Sequence, residues 1–404
     1  MARSSESRAA AGWQNYKTFE AQFTIMKRRM NAVEVLKDEF DVEDILDFTH
    51  HKFRKWVRRS VPFSAAWEVT NACNLRCKYC GLSSGEALSN ELSLEEAFDV
   101  IEDISQAGTQ SLMLLGGEPL VRSDIFEIIS YASLFMSVGI NTNGLLLDEE
   151  LAKKLKAAGV SQVKVSLDGP KSHDVMRGAG TYEKALRALK ACRNAGIFAI
   201  IEMTVSRLNY NEVPTVVDLA MGLGAAVVVN EFIPFGRGER YPELMLNKDE
   251  RRRMQEFLLE KKRTYGEWRV AFEDRYIISE DVALLKMIAD PFCSAVNVGC
   301  NAGIFAYGIT PDGKVLPCPT LRLVVGDLRE RSLKDIWEDS ETLKKLRSRE
   351  LKGKCGRCEL RYVCGGCRGR TYAFTGDILA EDPLCWYEPS LGGDRVGGRT
   401  EMDS

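Results

Sequence analysis

The sequence predicts an α/β protein built around a partial (β/α)6 barrel of the TIM type, and two observations carry this prediction. Six apolar, strand-like runs alternate with five helical runs between residues 63 and 232, which is typical of βαβ units and a parallel sheet. Polar and glycine-containing motifs follow the ends of these strand-like runs, where parallel α/β folds bind their ligands. We therefore expect an open barrel with its functional site at the carboxyl edge of the sheet.

The composition is that of an ordinary globular protein with more than one domain. The chain has 404 residues, is 45% hydrophobic and 28% charged, and carries a formal net charge of −3. This charge provides no global positive field, so we expect no nucleic-acid partner. The sequence shows neither the apolar core of a signal peptide nor an uncharged apolar run of about 18 residues. We therefore expect a cytoplasmic protein.

The chain divides into five predicted segments. Residues 1–61 form an N-terminal helical extension, in which apolar residues recur among charged ones over 14–31 and 41–59. The barrel spans 62–247, a helical bridge 248–290, a cysteine-rich domain 291–390 and a disordered polar tail 391–404. Within the barrel, the predicted strands are 64–70, 111–116, 137–142, 161–167, 198–205 and 225–232, and the predicted helices are 92–107, 124–136, 148–158, 182–195 and 212–223.

A basic amphipathic segment lies at residues 51–59 and ends before Pro62. Such a segment can lie on an anionic membrane surface or bind an acidic substrate. A solvated helix packed on the core is the competing and more common interpretation of a charge run.

Cysteine is concentrated in two parts of the chain. Of the twelve cysteines, three lie at 73–80, eight lie between Cys293 and Cys385, and Cys192 stands alone on a predicted helix. Disulfides are rare in reducing compartments, so clustered cysteines there indicate metal or redox chemistry. We expect Cys192 to be an inert helix residue.

The loop after the first predicted strand has the spacing C-x3-C-x2-C, with Cys73, Cys77 and Cys80. Three thiolates on one loop suit an iron–sulfur cluster, whereas a closed zinc site needs a fourth Cys or His. A four-iron cluster held by three thiolates keeps one iron open. This spacing, with Tyr79 before the last cysteine, resembles the signature of the radical SAM superfamily. The resemblance implies a catalytic [4Fe-4S] cluster whose open iron is chelated by S-adenosylmethionine.

The turn after the second predicted strand reads Gly116-Gly117-Glu118-Pro119. Paired glycines permit close backbone approach, and a neighbouring glutamate can accept hydrogen bonds from an ammonium group. Most turns of this kind simply reverse the chain, which is the alternative interpretation. In radical SAM enzymes the similar motif holds the amino group of the methionine moiety.

Small polar residues also mark the ends of the later predicted strands, with Arg177 on the loop after the fourth. By the same resemblance they contact the ribose or the carboxylate of S-adenosylmethionine. Turn and N-cap roles are the alternative, and would by themselves explain an aspartate here. His173 is expected to be structural. The predicted contacts, together with Tyr79 and the glycine turn, are Asn143, Ser166, Asp168, Arg177 and Thr204.

The C-terminal cysteines resemble the SPASM extension of radical SAM enzymes, although their paired C-x2-C spacings alone would also suit a zinc ribbon. Eight cysteines divide evenly into two four-thiolate sets. The resemblance implies two auxiliary iron–sulfur clusters. The first set is Cys293, Cys300, Cys318 and Cys367, and the second is Cys355, Cys358, Cys364 and Cys385.

The resemblance implies that a reductant such as flavodoxin or ferredoxin delivers an electron for reductive cleavage of S-adenosylmethionine. The resulting 5′-deoxyadenosyl radical removes a hydrogen atom from the substrate. The auxiliary clusters either accept the electron left after substrate oxidation or bind the substrate, and the sequence leaves both roles open. A non-enzymatic electron carrier would gain nothing from an open iron, so we expect an oxidoreductase.

Three substrate classes remain open from the sequence. The stretches 352–370, 375–377 and 381–383 resemble those of SPASM enzymes that modify tetrapyrrole side chains in alternative haem biosynthesis, by decarboxylation or bond formation. A maturase of ribosomally made peptides is the first alternative, although the segment 1–61 is short for a peptide-binding winged-helix module. Modification of a lipid or isoprenoid is the second, and it is motivated by the basic segment alone.

Overall fold

A computed structural model of the protein describes residues 61–266, 269–272, 299–358, 361–362 and 364–389. Its centre is a ten-stranded sheet in which the strands β1 to β6 follow one another in sequence order and pair in parallel. The strands are β1 Ser64–Glu68, β2 Ser111–Leu115, β3 Ser137–Thr142, β4 Val160–Ser166, β5 Phe198–Val205, β6 Ala226–Glu231, β7 Val270–Phe272, β8 Ala306–Ile309, β9 Lys314–Leu316 and β10 Gly326–Asp327.

Helices connect the parallel strands and continue after them. The helices are α1 Leu94–Gln106, α2 Ile125–Ala132, α3 Glu149–Ala157, α4 His173–Arg177, α5 Thr181–Asn194, α6 Val213–Gly222, α7 Lys248–Tyr265, α8 Leu333–Asp339, α9 Glu341–Ser348, α10 Gly353–Gly356 and α11 Arg368–Thr375. This alternation confirms the predicted parallel α/β fold of a partial barrel.

The sheet is wider than the six predicted strands. The strand β7 lies in the predicted helical bridge and pairs with β6, because the short apolar run Val270-Ala271-Phe272 completes the hydrogen bonding of that edge. On the other side, β8 pairs in parallel with β1, and β9 and β10 continue as antiparallel strands. Residues of the predicted cysteine-rich domain therefore extend the barrel sheet. The predicted segment boundaries themselves stay predictions.

Alternation along each strand separates a helix-facing side from an inner side. Trp67, Leu114, Ile140 and Val165 are fully buried and form one core cluster with buried residues of the helices. Burial of such apolar surface is the main favourable contribution to folding. Amphipathic helices cover this face. Helix α1, for example, begins at Ser93 with a capping box that includes Glu96.

Several predicted features lie outside the described residues: the N-terminal helices, the basic segment 51–59, Cys293 and the tail 391–404. Among the residues that are described, no helix has the length and apolar character needed to cross a membrane.

Candidate active site

The loop with the first three cysteines folds back on itself directly after β1. The amide of Cys73 donates to the carbonyl of Gly85 at 2.8 Å, and the amide of Cys80 donates to that of Cys77 at 3.3 Å. All three cysteines are partly exposed. The fold thus places their thiols on one short loop at the carboxyl edge of the sheet.

The electrostatics of this loop suit a positively charged metal centre. Burial raises the pKa of Cys73 to about 11, and the nearby Glu118, Cys77 and Cys80 add to this effect because like charges repel. Burial also raises the pKa of Cys77. Thiols that resist ionisation alone become thiolates when a metal supplies the compensating charge. The three residues therefore fit the predicted cluster, and their assignment as its ligands stays a prediction.

The glycine turn after β2 packs against the backbone of the cysteine loop. The amide of Gly117 donates to the carbonyl of Thr70, and the amide of Glu118 donates to that of Ala72, both at 2.8 Å. A methyl group on Gly117 would overlap the carbonyl oxygen of Ala72, and one on Gly116 would overlap that of Thr70. The close approach that requires glycine here is therefore to the cysteine loop.

We expect Gly117→Ala to impair cluster binding, because the added methyl group must push the cysteine loop away from β2. Anaerobic reconstitution followed by iron and sulfide counting measures this as a loss of about one cluster per chain. Gly222→Ala, whose added methyl group meets nothing within 4 Å, is the matched control. Full iron content in Gly117→Ala would contradict the proposed packing role.

Glu118 is buried and bridges the turn to the end of β3. Its carboxylate accepts hydrogen bonds from the Thr142 hydroxyl at 2.7 Å, the Asn143 amide at 2.8 Å and the Leu120 amide at 3.1 Å. Burial raises its pKa to about 7 in spite of these donors. Asn143 in turn donates from its side chain to Asn74 of the cysteine loop at 2.7 Å. Pro119 is buried at the start of a short 3-10 helix, Pro119–Val121.

Asp168, fully buried after β4, is the centre of a charged network. Its carboxylate accepts hydrogen bonds from the Tyr79 hydroxyl, from Arg177 Nε at 2.6 Å and from the Thr204 amide at 3.0 Å. Burial opposes ionisation of Asp168, but the Arg177 guanidinium and the hydrogen bond from Tyr79 together hold the pKa below the usual range. Tyr79, Arg177 and the Thr204 backbone thus meet at one carboxylate, which anchors the cysteine loop to β4 and α4.

His173 has the structural role expected from the sequence. It is fully buried, and its Nδ1 accepts a hydrogen bond from the Asp168 amide at 3.1 Å. Burial lowers its pKa to about 4, so the imidazole is neutral at physiological pH.

The inner wall of the barrel carries a polar cluster whose residues, apart from the neighbouring Ser166, were not among the predicted site residues. Glu202 on β5 lies 3.5 Å from Lys164 on β4 and accepts hydrogen bonds from the side-chain nitrogens of Asn141 and Asn230. Ser166 lies on the same side of β4 as Lys164 and is partly exposed. These polar residues occupy alternate positions of otherwise apolar strands, and this pattern could have indicated the cluster from the sequence.

The loop after β6 contacts the cysteine loop. Arg237 donates from Nε to the carbonyl of Cys77 at 3.0 Å and from Nη1 to that of Ser84 at 2.7 Å. Its own amide donates to the carbonyl of Cys80 at 3.0 Å. Arg237 therefore fixes the cysteine loop through three hydrogen bonds, a role that its sequence position did not reveal.

The second predicted set of C-terminal cysteines surrounds a single cavity. Cys355, Cys358, Cys364 and Cys385 all line it. The same cavity is also lined by Arg251, Lys354, Arg361, Gly365, Gly366, Asp382 and Tyr387. Four cysteines around one cavity match the number of ligands of a closed cluster, and we call this group the four-cysteine cage.

The first predicted set is described in part, because Cys293 lies outside the described residues. The thiol sulfurs of Cys318 and Cys367 accept amide hydrogen bonds from Leu321 and Arg370, at 3.2 and 3.5 Å. The Cys300 amide donates to the carbonyl of Cys364, which links this set to the cage.

Within the described parts of the chain, no three His, Cys, Asp or Glu side chains converge as ligands of a single metal ion.

A buried ion-pair chain ties the cage to the barrel. Arg370 pairs with Asp382 at 2.7 Å and with Glu231 at the end of β6 at 3.0 Å. Glu231 also pairs with Arg251 at 2.8 Å, and Arg251 donates to the carbonyl of Leu384. Arg370 is therefore structural, and sequence alone did not reveal its partners.

Cys192 lies on α5, and its environment matches the prediction of an inert residue. It is fully buried among apolar side chains, and burial raises its pKa to about 12. A thiol with such a pKa is a poor nucleophile at physiological pH.

Comparisons with known proteins agree with this geometry. Residues 67–220 match the family profile of the radical SAM superfamily, and residues 300–359 match that of the SPASM iron–sulfur cluster-binding domain. The chain is 37% identical over 343 residues to the AdoMet-dependent heme synthase of Methanosarcina barkeri, covering 82% of this chain and 98% of that protein.

Two further proteins illustrate the range of similar chains. The mycofactocin maturase MftC of Mycolicibacterium smegmatis is 32% identical over 356 residues, covering 85% of this chain and 88% of that protein. The structure of SuiB from Streptococcus suis bound to S-adenosylmethionine superposes with a TM-score of 0.63 at 20% identity. That match covers 83% of this chain and 81% of SuiB, and it supports the fold.

Proposed function

Because the chain belongs to the radical SAM superfamily and carries a SPASM domain, we propose that it oxidatively decarboxylates propionate side chains of a tetrapyrrole. As a radical SAM enzyme it binds a [4Fe-4S] cluster with S-adenosylmethionine and carries auxiliary clusters. The observation that carries the proposed substrate is the 37% identity to an AdoMet-dependent heme synthase over 98% of that protein's length.

The proposed roles of the residues follow from their contacts. When bound, the cluster supplies the electron that cleaves S-adenosylmethionine to methionine and a 5′-deoxyadenosyl radical. Cys73, Cys77 and Cys80 hold that cluster in this proposal. Asn143, Ser166 and Thr204, at or next to the ends of β3, β4 and β5, orient the nucleotide in this proposal.

Four further predicted cofactor contacts mainly position the cysteine loop in this proposal. Glu118, Tyr79 and Asp168 are buried, Arg177 is partly buried, and all four are bonded to each other or to neighbouring residues. Gly116 and Gly117 permit the close approach of the loop to β2. These residues act on S-adenosylmethionine by fixing the shape of its site.

Cations on the inner wall support a substrate with carboxylate groups. Lys164 has a side chain that is 21% exposed and pairs with Glu202. Arg322, from the segment after Cys318, is 34% exposed and pairs through both terminal nitrogens with Glu68 on β1. Arginine binds carboxylates in a bidentate geometry. A propionate that binds Arg322 competes with Glu68 for the guanidinium. Burial raises the pKa of Glu68, so a proton on this carboxyl would compensate for the lost partner.

The test is anaerobic turnover with an iron porphyrin that carries propionate side chains, in the presence of S-adenosylmethionine and dithionite. We expect one 5′-deoxyadenosine per converted side chain and a product in which a propionate has become a vinyl group with loss of CO2. Formation of 5′-deoxyadenosine with an unchanged porphyrin would reject the proposed substrate and leave the radical chemistry intact.

A peptide maturase is the second candidate function, and the 32% identity to a mycofactocin maturase over 85% of this chain favours it. The same turnover assay with a precursor peptide distinguishes the two, since a mass change would then appear on the peptide. We further propose that a flavodoxin or ferredoxin supplies the electron, which is tested by replacing dithionite with the reduced carrier.

A further inference from the structure

The four-cysteine cage is lined by more cationic than anionic side chains. Arg251, Lys354 and Arg361 line it, whereas Asp382 is the acidic residue that lines it within the described part of the chain. Asp382 is bound by Arg370 through two hydrogen bonds of 2.9 and 2.7 Å. The cage therefore places the cysteines in a locally positive environment.

The three lining cations differ in how far their charge is compensated. Arg251 pairs with the buried Glu231 at 2.8 Å, so its charge is balanced. Lys354 donates to the carbonyl of Cys385 at 3.1 Å and pairs at 3.0 Å with Glu388, whose side chain is 80% exposed. An ion pair with such an exposed partner is screened by water.

The hydrogen-bond partners of Arg361 beside the cage are uncharged. Its Nη1 donates to the carbonyl of Gly356 at 2.9 Å and its Nη2 to the hydroxyl of Tyr362 at 3.0 Å. Its guanidinium also lies 4.5 Å from the centre of the Tyr362 ring. These partners are neutral, and among the described residues no carboxylate forms an ion pair with Arg361.

A cluster held by four thiolates is anionic, and its reduction adds one more negative charge. Net charge, hydrogen bonds to sulfur and solvent exposure set the reduction potential of such clusters. A cation at short range in a partly buried cavity stabilises the more negative state, because the local dielectric constant is lower than that of water. Backbone amides of Gly366 and Asp382 add hydrogen bonds to the sulfurs of Cys364 and Cys355, at 3.5 and 3.4 Å.

We propose that Arg361 and Lys354 raise the reduction potential of the auxiliary cluster held by Cys355, Cys358, Cys364 and Cys385, which makes this cluster easier to reduce. Four thiolate ligands leave no open iron, so the cage does not bind substrate through the metal. A role of this cluster as electron acceptor rests on the proposed function. As a propionate-derived carbon radical loses CO2 and forms a double bond, it releases one electron, and a cluster that is easily reduced can accept it.

The test is a potentiometric titration followed by electron paramagnetic resonance on the reconstituted full chain. Substitution of Cys73, Cys77 and Cys80 by alanine removes the signal of the first cluster. We expect Arg361→Gln and Lys354→Gln each to lower the midpoint potential of one auxiliary cluster and to leave the other unchanged. A tenfold loss in the equilibrium constant for one-electron reduction corresponds to about 59 mV.

Charge-conserving and remote variants serve as controls. Arg361→Lys and Lys354→Arg should keep the parental potential. Lys352→Gln removes an exposed lysine that pairs with Asp377 outside the cage, and it should also leave the potential unchanged. Equal potentials in Arg361→Gln, Lys354→Gln and the parent would overturn the proposal.

Loss of iron from Arg361→Gln together with full iron in Arg361→Lys would also overturn it, in favour of a structural role. These measurements need no substrate, so they are independent of the proposed reaction. If the potentials shift as expected but no porphyrin is converted, the electrostatic proposal stands and the proposed substrate fails.

Discussion

Replacement of Cys73 by alanine is expected to abolish formation of 5′-deoxyadenosine while the C-terminal clusters remain. The three cysteines of the first loop are the proposed ligands of the catalytic cluster, and two thiolates do not hold it. Anaerobically reconstituted Cys73→Ala should therefore lose about one cluster's iron and sulfide, and product analysis should show no cleavage of S-adenosylmethionine above background.

Cys192→Ala is the matched control for this experiment. It removes a buried thiol from α5, far from any predicted ligand set in the sequence, and should keep both the iron content and the cleavage rate. Cleavage of S-adenosylmethionine at the parental rate by Cys73→Ala would show that the cluster assignment is wrong.

Replacement of Asp168 by asparagine is expected to have the largest effect on stability. The change leaves the Arg177 guanidinium, whose side chain is 10% exposed, without its carboxylate partner. Breaking a buried ion pair by removing one partner costs about 3–5 kcal/mol. Urea unfolding of the reconstituted protein under anaerobic conditions measures this loss, and cleavage of S-adenosylmethionine should fall with it because Tyr79 and its loop lose their anchor.

The double variant Asp168→Asn, Arg177→Met separates charge pairing from general damage. If the unpaired guanidinium is the main cost, removal of both charges should restore part of the stability lost in the single variant. Additive losses in the double variant would show that the ion pair itself contributes little and that the hydrogen bonds of Tyr79 and Thr204 dominate.

The alternation of strands and helices was available from the sequence because it follows from local patterns. An apolar strand buried on one face and an amphipathic helix each leave a period that a single chain displays. The three-cysteine loop was equally visible, since its residues are adjacent in the chain. The division of the C-terminal cysteines into two sets of four came from the resemblance to the SPASM extension. The cavity lined by Cys355, Cys358, Cys364 and Cys385 agrees with the second of these sets.

The widening of the sheet was not available from the sequence. Strands β7 and β8 are three and four residues long, and their pairing with β6 and β1 depends on edges formed by distant residues. Short apolar runs do not by themselves predict a strand, because the stability of such a strand comes from the neighbouring strand with which it pairs.

The sequence by itself determined the fold class, the positions of the motifs and the kind of chemistry, because adjacent residues and short periods encode them. The tertiary structure alone decided which groups compensate each other's charge. Asp168 meets Tyr79 from 89 positions away, and Arg370 meets Glu231 from 139 positions away. A buried charged group needs a partner, because an unpaired charge inside the protein is costly. The sequence does not show which residue is the partner, since any acidic residue that the fold brings near a buried cation can pair with it.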